Sequence, residues 1–249
     1  MEVSPMIVFL TSSPTGPLDG ARKVDGMDKK NKFVDNLRSC WKTDSRCLMI
    51  SAFPDDPAAN DEMRQFFENV VRKEGLSCST FDLWDDRTED FSEKTLRSYD
   101  VVWLGGGHVP TENAFFKRIG LREKIAGFDG IVIGISAGTM NSADWVYVQP
   151  ELPGESLDPG FVRYMTGLGL TKTMTLPHYQ RVKDNYLDGK RLYEEITYDD
   201  SVGNEFLVLT DGSYLLIRDG EEVIYGEAYV IADRTIRRIC EDEQSRRWK

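Results

Sequence analysis

The stretch Gly134-Ile135-Ser136-Ala137-Gly138 constrains this chain more than any other. It follows the apolar run Ile131-Val132-Ile133 and precedes the small-sided Thr139-Met140-Asn141-Ser142-Ala143, which can start a helix. A strand, a serine held between glycines and then a helix is the sequence form of a sharp turn that presents a nucleophile. The glycines let the backbone turn without a Cβ clash, so the hydroxyl stands above the end of a sheet. The free N–H groups of the helix start lie where negative charge develops on an attacked carbonyl. Ser136 is therefore the expected nucleophile.

The surrounding pattern says what kind of sheet carries that turn. Met6 to Leu10, Cys47 to Ile50, Ser79 to Trp84, Val101 to Leu104 and Ile131 to Ile135 read as strands. Between them, Lys30 to Trp41 and Pro57 to Glu74 read as helices with apolar residues on one face. Such alternation predicts an α/β fold with a mainly parallel sheet covered on both faces, its site at the carboxyl ends of the strands. Thr173 to Leu176 is strand-like and Lys190 to Ile196 helix-like. From Phe206 onward the chain turns β-rich, through Phe206 to Leu209, Tyr214 to Ile217 and Val223 to Ile231. Asp211-Gly212 and Asp219-Gly220 read as hairpin turns. No repeat or linker divides the chain, so residues 1–249 are expected to form one domain.

Charge and cysteine usage narrow the function classes. With 31 basic and 42 acidic residues, the net charge of −11 argues against a nucleic-acid or anionic-membrane surface. The four cysteines form no CxxC and no cluster with histidine, so neither a metal site nor a disulfide framework is expected. Reduced thiols suit the cytoplasm. The apolar run at Met6 to Leu10 is too short for a signal peptide or a membrane span.

A serine hydroxyl needs a base, and this chain offers only two histidines. His178 ends a strand-like segment in Leu176-Pro177-His178-Tyr179, at the same sheet edge as Ser136, and is the stronger candidate. His108 follows the glycine triplet after the fourth strand and is the other. Gly105-Gly106-Gly107 lacks the GxGxxG spacing of a dinucleotide loop and the lysine of a P-loop, so no cofactor is expected. Its bare backbone can instead approach a substrate, and the N–H groups of Gly106 or Gly107 with Ala137 form a candidate oxyanion hole.

These motifs together resemble the peptidase E family of aspartyl dipeptidases, with cyanophycinases as more distant relatives. The likeness rests on Leu104-Gly105-Gly106-Gly107, the glycine-flanked Ser136, Pro177-His178-Tyr179 and Leu209-Thr210-Asp211-Gly212, where the family has Leu-Pro-Glu-Gly before a closing hairpin. It runs from Met6 to Ile217 in motif order. The resemblance implies a flavodoxin-like three-layer α/β sandwich with a β-rich C-terminal part, related to class I glutamine amidotransferases, and a Ser-His-Glu triad. Carried over by position, Ser136 is nucleophile, His178 base and Asp211 acid, with Glu205 as fallback acid. Aspartate for glutamate requires the backbone to approach by about one methylene, ~1.5 Å. Glu151 corresponds to a family acid near the site. His108 stands where the family usually has Asn or Gln, and both could line a substrate pocket. The family's substrate-reading arginine falls near Leu187, flanked by Arg181 and Arg191, so Arg181 joins the possible pocket.

The expected activity is serine-type hydrolysis of short peptides through a Ser-His-Asp triad and an acyl-enzyme, without the aspartyl preference carried over. The partner is a small peptide, and the protein is a monomer or homodimer. The alternative is a binding protein that keeps the pocket without the chemistry. Amidotransferases of the shared fold use cysteine at the turn, where this chain has Ser136.

Overall fold

Five parallel strands form the middle of the molecule: β1 (Ile7–Thr11), β2 (Ser45–Ile50), β3 (Cys78–Trp84), β4 (Val101–Leu104) and β5 (Ile131–Ile135). The computed structural model describes residues 6–17 and 26–249. Each strand sits on one of the predicted apolar runs. The helices between them are α1 (Phe33–Arg38), α2 (Pro57–Lys73), α3 (Glu93–Leu96), α4 (Val109–Arg118), α5 (Leu121–Ile125) and α6 (Ala137–Asn141). α2 starts where Asp56 accepts the Ala59 N–H and Pro57 fills the first turn, a position that needs no N–H donor. α1 is shorter than its pattern predicts. Asn31 and Lys32 take positive φ values of 56° and 57°, which breaks the expected start. Asn31 is held instead by long-range bonds, donating through Nδ2 to Gly212 O at 3.0 Å and accepting from the Tyr214 hydroxyl at 2.9 Å.

The second half supplies β6 (Trp145–Tyr147), β7 (Tyr164–Thr166), β8 (Met174–Leu176), α7 (Tyr179–Val182), β9 (Tyr186–Leu187) and β10 (Lys190–Arg191). Then come β11 (Glu205–Leu209), β12 (Tyr214–Arg218), β13 (Glu221–Tyr225), β14 (Ala228–Ala232), β15 (Thr235–Cys240) and β16 (Ser245–Arg247). The main sheet has the order β16-β13-β12-β1-β5-β4-β2-β3, with β12, β13 and β16 joined beside β1 through antiparallel pairings. A separate four-stranded sheet runs β15-β14-β11-β8.

Three sequence expectations change here. Lys190 to Ile196 is a two-residue strand followed by a π-helical turn at Leu192–Thr197, not a plain helix. Val223 to Ile231 splits into β13 and β14 at Gly226, whose φ is 90° and where an added Cβ would lie 2.5 Å from Ser213 Oγ. Asp219-Gly220 is a true two-residue hairpin, with Arg218 facing Glu221 and both turn residues at positive φ. Asp211-Gly212 is not a hairpin. It carries the chain from β11 in the small sheet to β12 in the large one.

The layers follow from strand alternation. Phe9, Met49, Trp103 and Ile133 face α1 and α2, packing on Phe33, Leu37, Phe67 and Val71. Val8, Leu48, Val102 and Val132 face the other way, onto Phe115, Phe116 and Ile125 of α4 and α5 and onto Leu207 and Val230 of the small sheet. The opposite face of that small sheet buries Phe206, Val208 and Ile231 with Ala137, Met140 and Tyr193. This is the flavodoxin-like α/β sandwich, with a β-rich C-terminal part. No described helix is long and apolar enough to cross a membrane.

Candidate active site

Ser136 sits at the step from β5 to α6 with φ 51° and ψ −109°, a conformation side-chain-bearing residues rarely adopt. The glycines around it are there for space. An added Cβ on Gly134 would meet Thr139 Cα at 2.9 Å, and one on Gly138 would meet Leu104 O at 2.5 Å. The end of β1 then fastens the turn. The Ser136 N–H donates to Thr11 O at 3.1 Å, Thr139 Oγ1 donates to the same carbonyl at 2.8 Å, and Thr11 Oγ1 donates to Gly134 O at 2.7 Å. Gly138 N–H donates to Gly105 O at 3.0 Å, tying the turn to the glycine triplet.

From the serine a line of hydrogen bonds runs inward. Ser136 Oγ lies 2.8 Å from His178 Nε2, and His178 Nδ1 lies 2.5 Å from Asp211 Oδ1. With Nδ1–H donating to the carboxylate, Nε2 is left free to accept the serine proton, the tautomer that the network favours. His178 occupies the left-handed region at φ 62°, one residue beyond the end of β8, and its ring reaches Ser136 at the end of β5. Burial alone would raise the Asp211 carboxyl's pKa. Its hydrogen bond and charge interaction with His178, and bonds from Ser12 and Gln180, outweigh that and hold it below the ordinary value.

Comparison with known proteins settles the family at this point. The model of peptidase family S51 matches residues 53–225. The chain belongs to peptidase family S51. It is a serine-type peptidase of peptidase E type. Among solved structures, a peptidase from an acI-B1 Actinobacterium is 14% identical with a TM-score of 0.65, covering 99% of this chain and 98% of that one. A protein from Listeria monocytogenes EGD-e assigned to peptidase E is 18% identical with a TM-score of 0.54, covering 94% and 98%. At these identities the two likenesses concern the fold. No curated protein matches the chain.

In this S51 peptidase the glycine triplet and the start of α6 lie beside Ser136. Among the described residues, none accepts from the N–H groups of Gly106, Gly107 or Ala137. A Cβ on Gly106 would lie 3.4 Å from Ser136 Cβ, and one on Gly107 would collide with Ala52 Cβ and the Phe53 ring at 2.7 Å. Only glycine lets this strand end pass so close to both. Behind the turn, Asn141 of α6 donates to Val109 O at 3.1 Å and to the fully buried Glu112 at 2.8 Å, locking α6 onto α4.

A cleft of about 200 Å³ opens beside Ser136 and His178. Val109, Met140, Val182, Leu187 and Leu192 wall it, and Glu151 reaches its lining. Of the other residues read from the sequence, Asp211 is the carboxylate bonded to His178. Glu205 starts β11 with its carboxylate half exposed, 3.9 Å from Lys249 Nζ, and takes no part in the line to His178. Arg181 is exposed on α7 and does not line the cleft. His108 does not line it either. Its Nδ1 bonds Thr111 Oγ1 at 2.9 Å and its Nε2 bonds Glu155 Oε1 at 3.0 Å. Glu155 Oε2 in turn accepts the N–H groups of Glu151 and Leu152, so His108 anchors the loop that carries Glu151.

One residue escaped sequence reasoning. Ser12, fully buried just after β1, donates to Asp211 Oδ1 at 2.8 Å and accepts the His178 backbone N–H at 2.8 Å. It ties Asp211 and His178 to each other and to the end of β1. The only available signal was a Thr-Ser-Ser strand end at the same edge as Ser136. Ser12→Ala removes one donor from a buried carboxylate and strands a backbone N–H, a loss of about 1.5–3 kcal/mol for a charged partner. Steady-state kinetics on Ser12→Ala should show kcat lowered roughly 10- to 100-fold with KM little changed. Ser12→Thr, which keeps the hydroxyl, should recover most of it. An unaltered kcat in Ser12→Ala would remove Ser12 from the network.

Proposed function

We propose that this S51 peptidase hydrolyses short peptides through a Ser136, His178 and Asp211 triad and a covalent acyl-enzyme, with residues 1–249 acting as one domain. The observation that carries this reading is the unbroken bond line from Ser136 Oγ at 2.8 Å to His178 Nε2 and from Nδ1 at 2.5 Å to Asp211. Ser136 Oγ attacks the scissile carbonyl carbon while its proton passes to Nε2. The negative oxygen that forms is met by the N–H of Ala137 and of Gly106 or Gly107. His178 then gives the proton to the leaving amine as the C–N bond breaks. Water attacks the resulting ester, its proton goes to Nε2, and the acid leaves as Ser136 regains a proton. Asp211 stays ionised and keeps the ring in the accepting tautomer. Free cysteines at Cys40, Cys47, Cys78 and Cys240 suit a reducing cytoplasm.

A serine-directed fluorophosphonate tests the chemistry apart from any substrate. One label per chain is expected on Ser136, read by peptide mass mapping, and His178→Ala should abolish it. An unlabelled wild-type protein would favour an inert binding pocket instead.

A further inference from the structure

The cleft differs from an acid-reading pocket in its charges. Among the described residues, its lining contains no Arg or Lys, and the one carboxylate there is Glu151. Two glutamates of the same loop have opposite situations. Glu155 is saturated by two backbone N–H groups and His108. The Glu151 side chain makes no hydrogen bond or ion pair with any described residue. Burial first, then the nearby Glu155, raises its pKa, while His108 and His178 pull in the other direction. Glu151 stands exposed at the edge of the cleft, where its unpaired carboxylate can meet a cation carried by a ligand.

We propose that Glu151 is the cation-binding group of this cleft and that the enzyme selects short peptides that bring an ammonium group to it, rejecting those with an N-terminal aspartate. The inference rests on the proposed peptidase chemistry and adds the substrate class to it. A carboxylate side chain entering beside Ser136 would stand against Glu151 with no cation among the lining residues to receive it. Like-charge juxtaposition at that position weakens binding of such a peptide. An ammonium gains a charge-assisted bond to Glu151, whose geometry is set by the His108–Glu155 anchor. That ammonium has two sources in a short peptide, the free α-amino group and a lysine side chain at the first position.

Kinetics on Leu-Ala, norleucine-Ala, Lys-Ala, Asp-Ala and N-acetyl-Leu-Ala separate these possibilities. The wild type should favour Leu-Ala or Lys-Ala over Asp-Ala by roughly 10-fold or more in kcat/KM. Glu151→Gln should erase that preference, and Glu151→Lys should turn it toward Asp-Ala. Equal losses for Leu-Ala and Lys-Ala in Glu151→Gln, with poor cleavage of the acetylated peptide, assign the α-ammonium. A loss confined to Lys-Ala, with norleucine-Ala spared, assigns the side chain. Asp-Ala as the best wild-type substrate, or preferences unmoved in both variants, overturns the proposal. If Ser136 takes the fluorophosphonate but no dipeptide turns over, protection of the label by the same dipeptides reads the same ranking. Absence of labelling overturns the peptidase chemistry itself, and the proposal with it.

Discussion

Replacing Ser136 by alanine is expected to lower kcat/KM for any peptide the wild type cleaves by roughly 10⁴- to 10⁶-fold while leaving the fold intact. The size of the effect follows from the proposed covalent chemistry. Without Oγ no acyl-enzyme forms, and His178 has no hydroxyl to deprotonate. What remains in that scheme is the proposed set of N–H donors at Gly106, Gly107 and Ala137, which would accelerate attack by water only modestly. The fold survives because the hydroxyl's one hydrogen-bond partner among the described residues is the partly buried His178 ring. The backbone strain at φ 51° is the same for serine and alanine, since both carry a Cβ. Ser136→Gly releases that strain and should melt at a higher temperature than Ser136→Ala. Circular dichroism melting beside a dipeptide assay reads both statements. Peptidase activity undiminished in Ser136→Ala would end the triad proposal.

The parts of this site differ in how far local sequence could announce them. Ser136 was legible because its geometry is local. The strain, the two glycines and the helix start all lie within five residues, and each leaves its own mark. The five parallel strands were legible for a similar reason, since strands buried on both faces are continuous apolar runs. Asp211 was named only through the family's motif, because Asp-Gly between two strands reads as a hairpin wherever the strands go. Asp219-Gly220 makes that hairpin with positive φ at both residues, whereas Asp211 lacks a positive φ. The difference lies in long-range pairing: β11 joins β14 and β8, while β12 joins β1 and β13. Ser12 reaches Asp211 across 199 residues of sequence and His178 across 166, so no window around it could reveal its role. His108 shows the converse. Its place after the glycine triplet suggested a pocket residue, yet the structure engages it with Thr111 and Glu155, outside the cleft lining.

Asp211→Asn tests the inner half of the bond line. A carboxylate accepts on both oxygens, but an amide must place its NH₂ group somewhere. If nitrogen takes the Oδ1 position, it faces His178 Nδ1 and a donating Ser12 hydroxyl. Nδ1 must then accept, the ring proton moves to Nε2, and Ser136 loses its base. If nitrogen takes the Oδ2 position, it is buried with no acceptor among the described residues, costing about 1–3 kcal/mol. The first arrangement inverts the tautomer, and the second leaves the imidazolium without its counter-charge. Either way kcat should fall roughly 10³- to 10⁴-fold at neutral pH, with a smaller change in KM. The same substitution alters the acid response of stability. The Asp211 carboxyl is held below its ordinary value of 3.8, so its stabilisation is fully present above that pH and is lost as pH falls through the lower native value. Asparagine has no such proton to take up. Thermal melting should therefore show the variant less stable than wild type at pH 7, with the gap narrowing as the solution is acidified below about pH 4. A gap constant across that range would mean that Asp211 gains no net stabilisation as an anion, and a kcat close to wild type would mean that His178 takes its orientation from elsewhere.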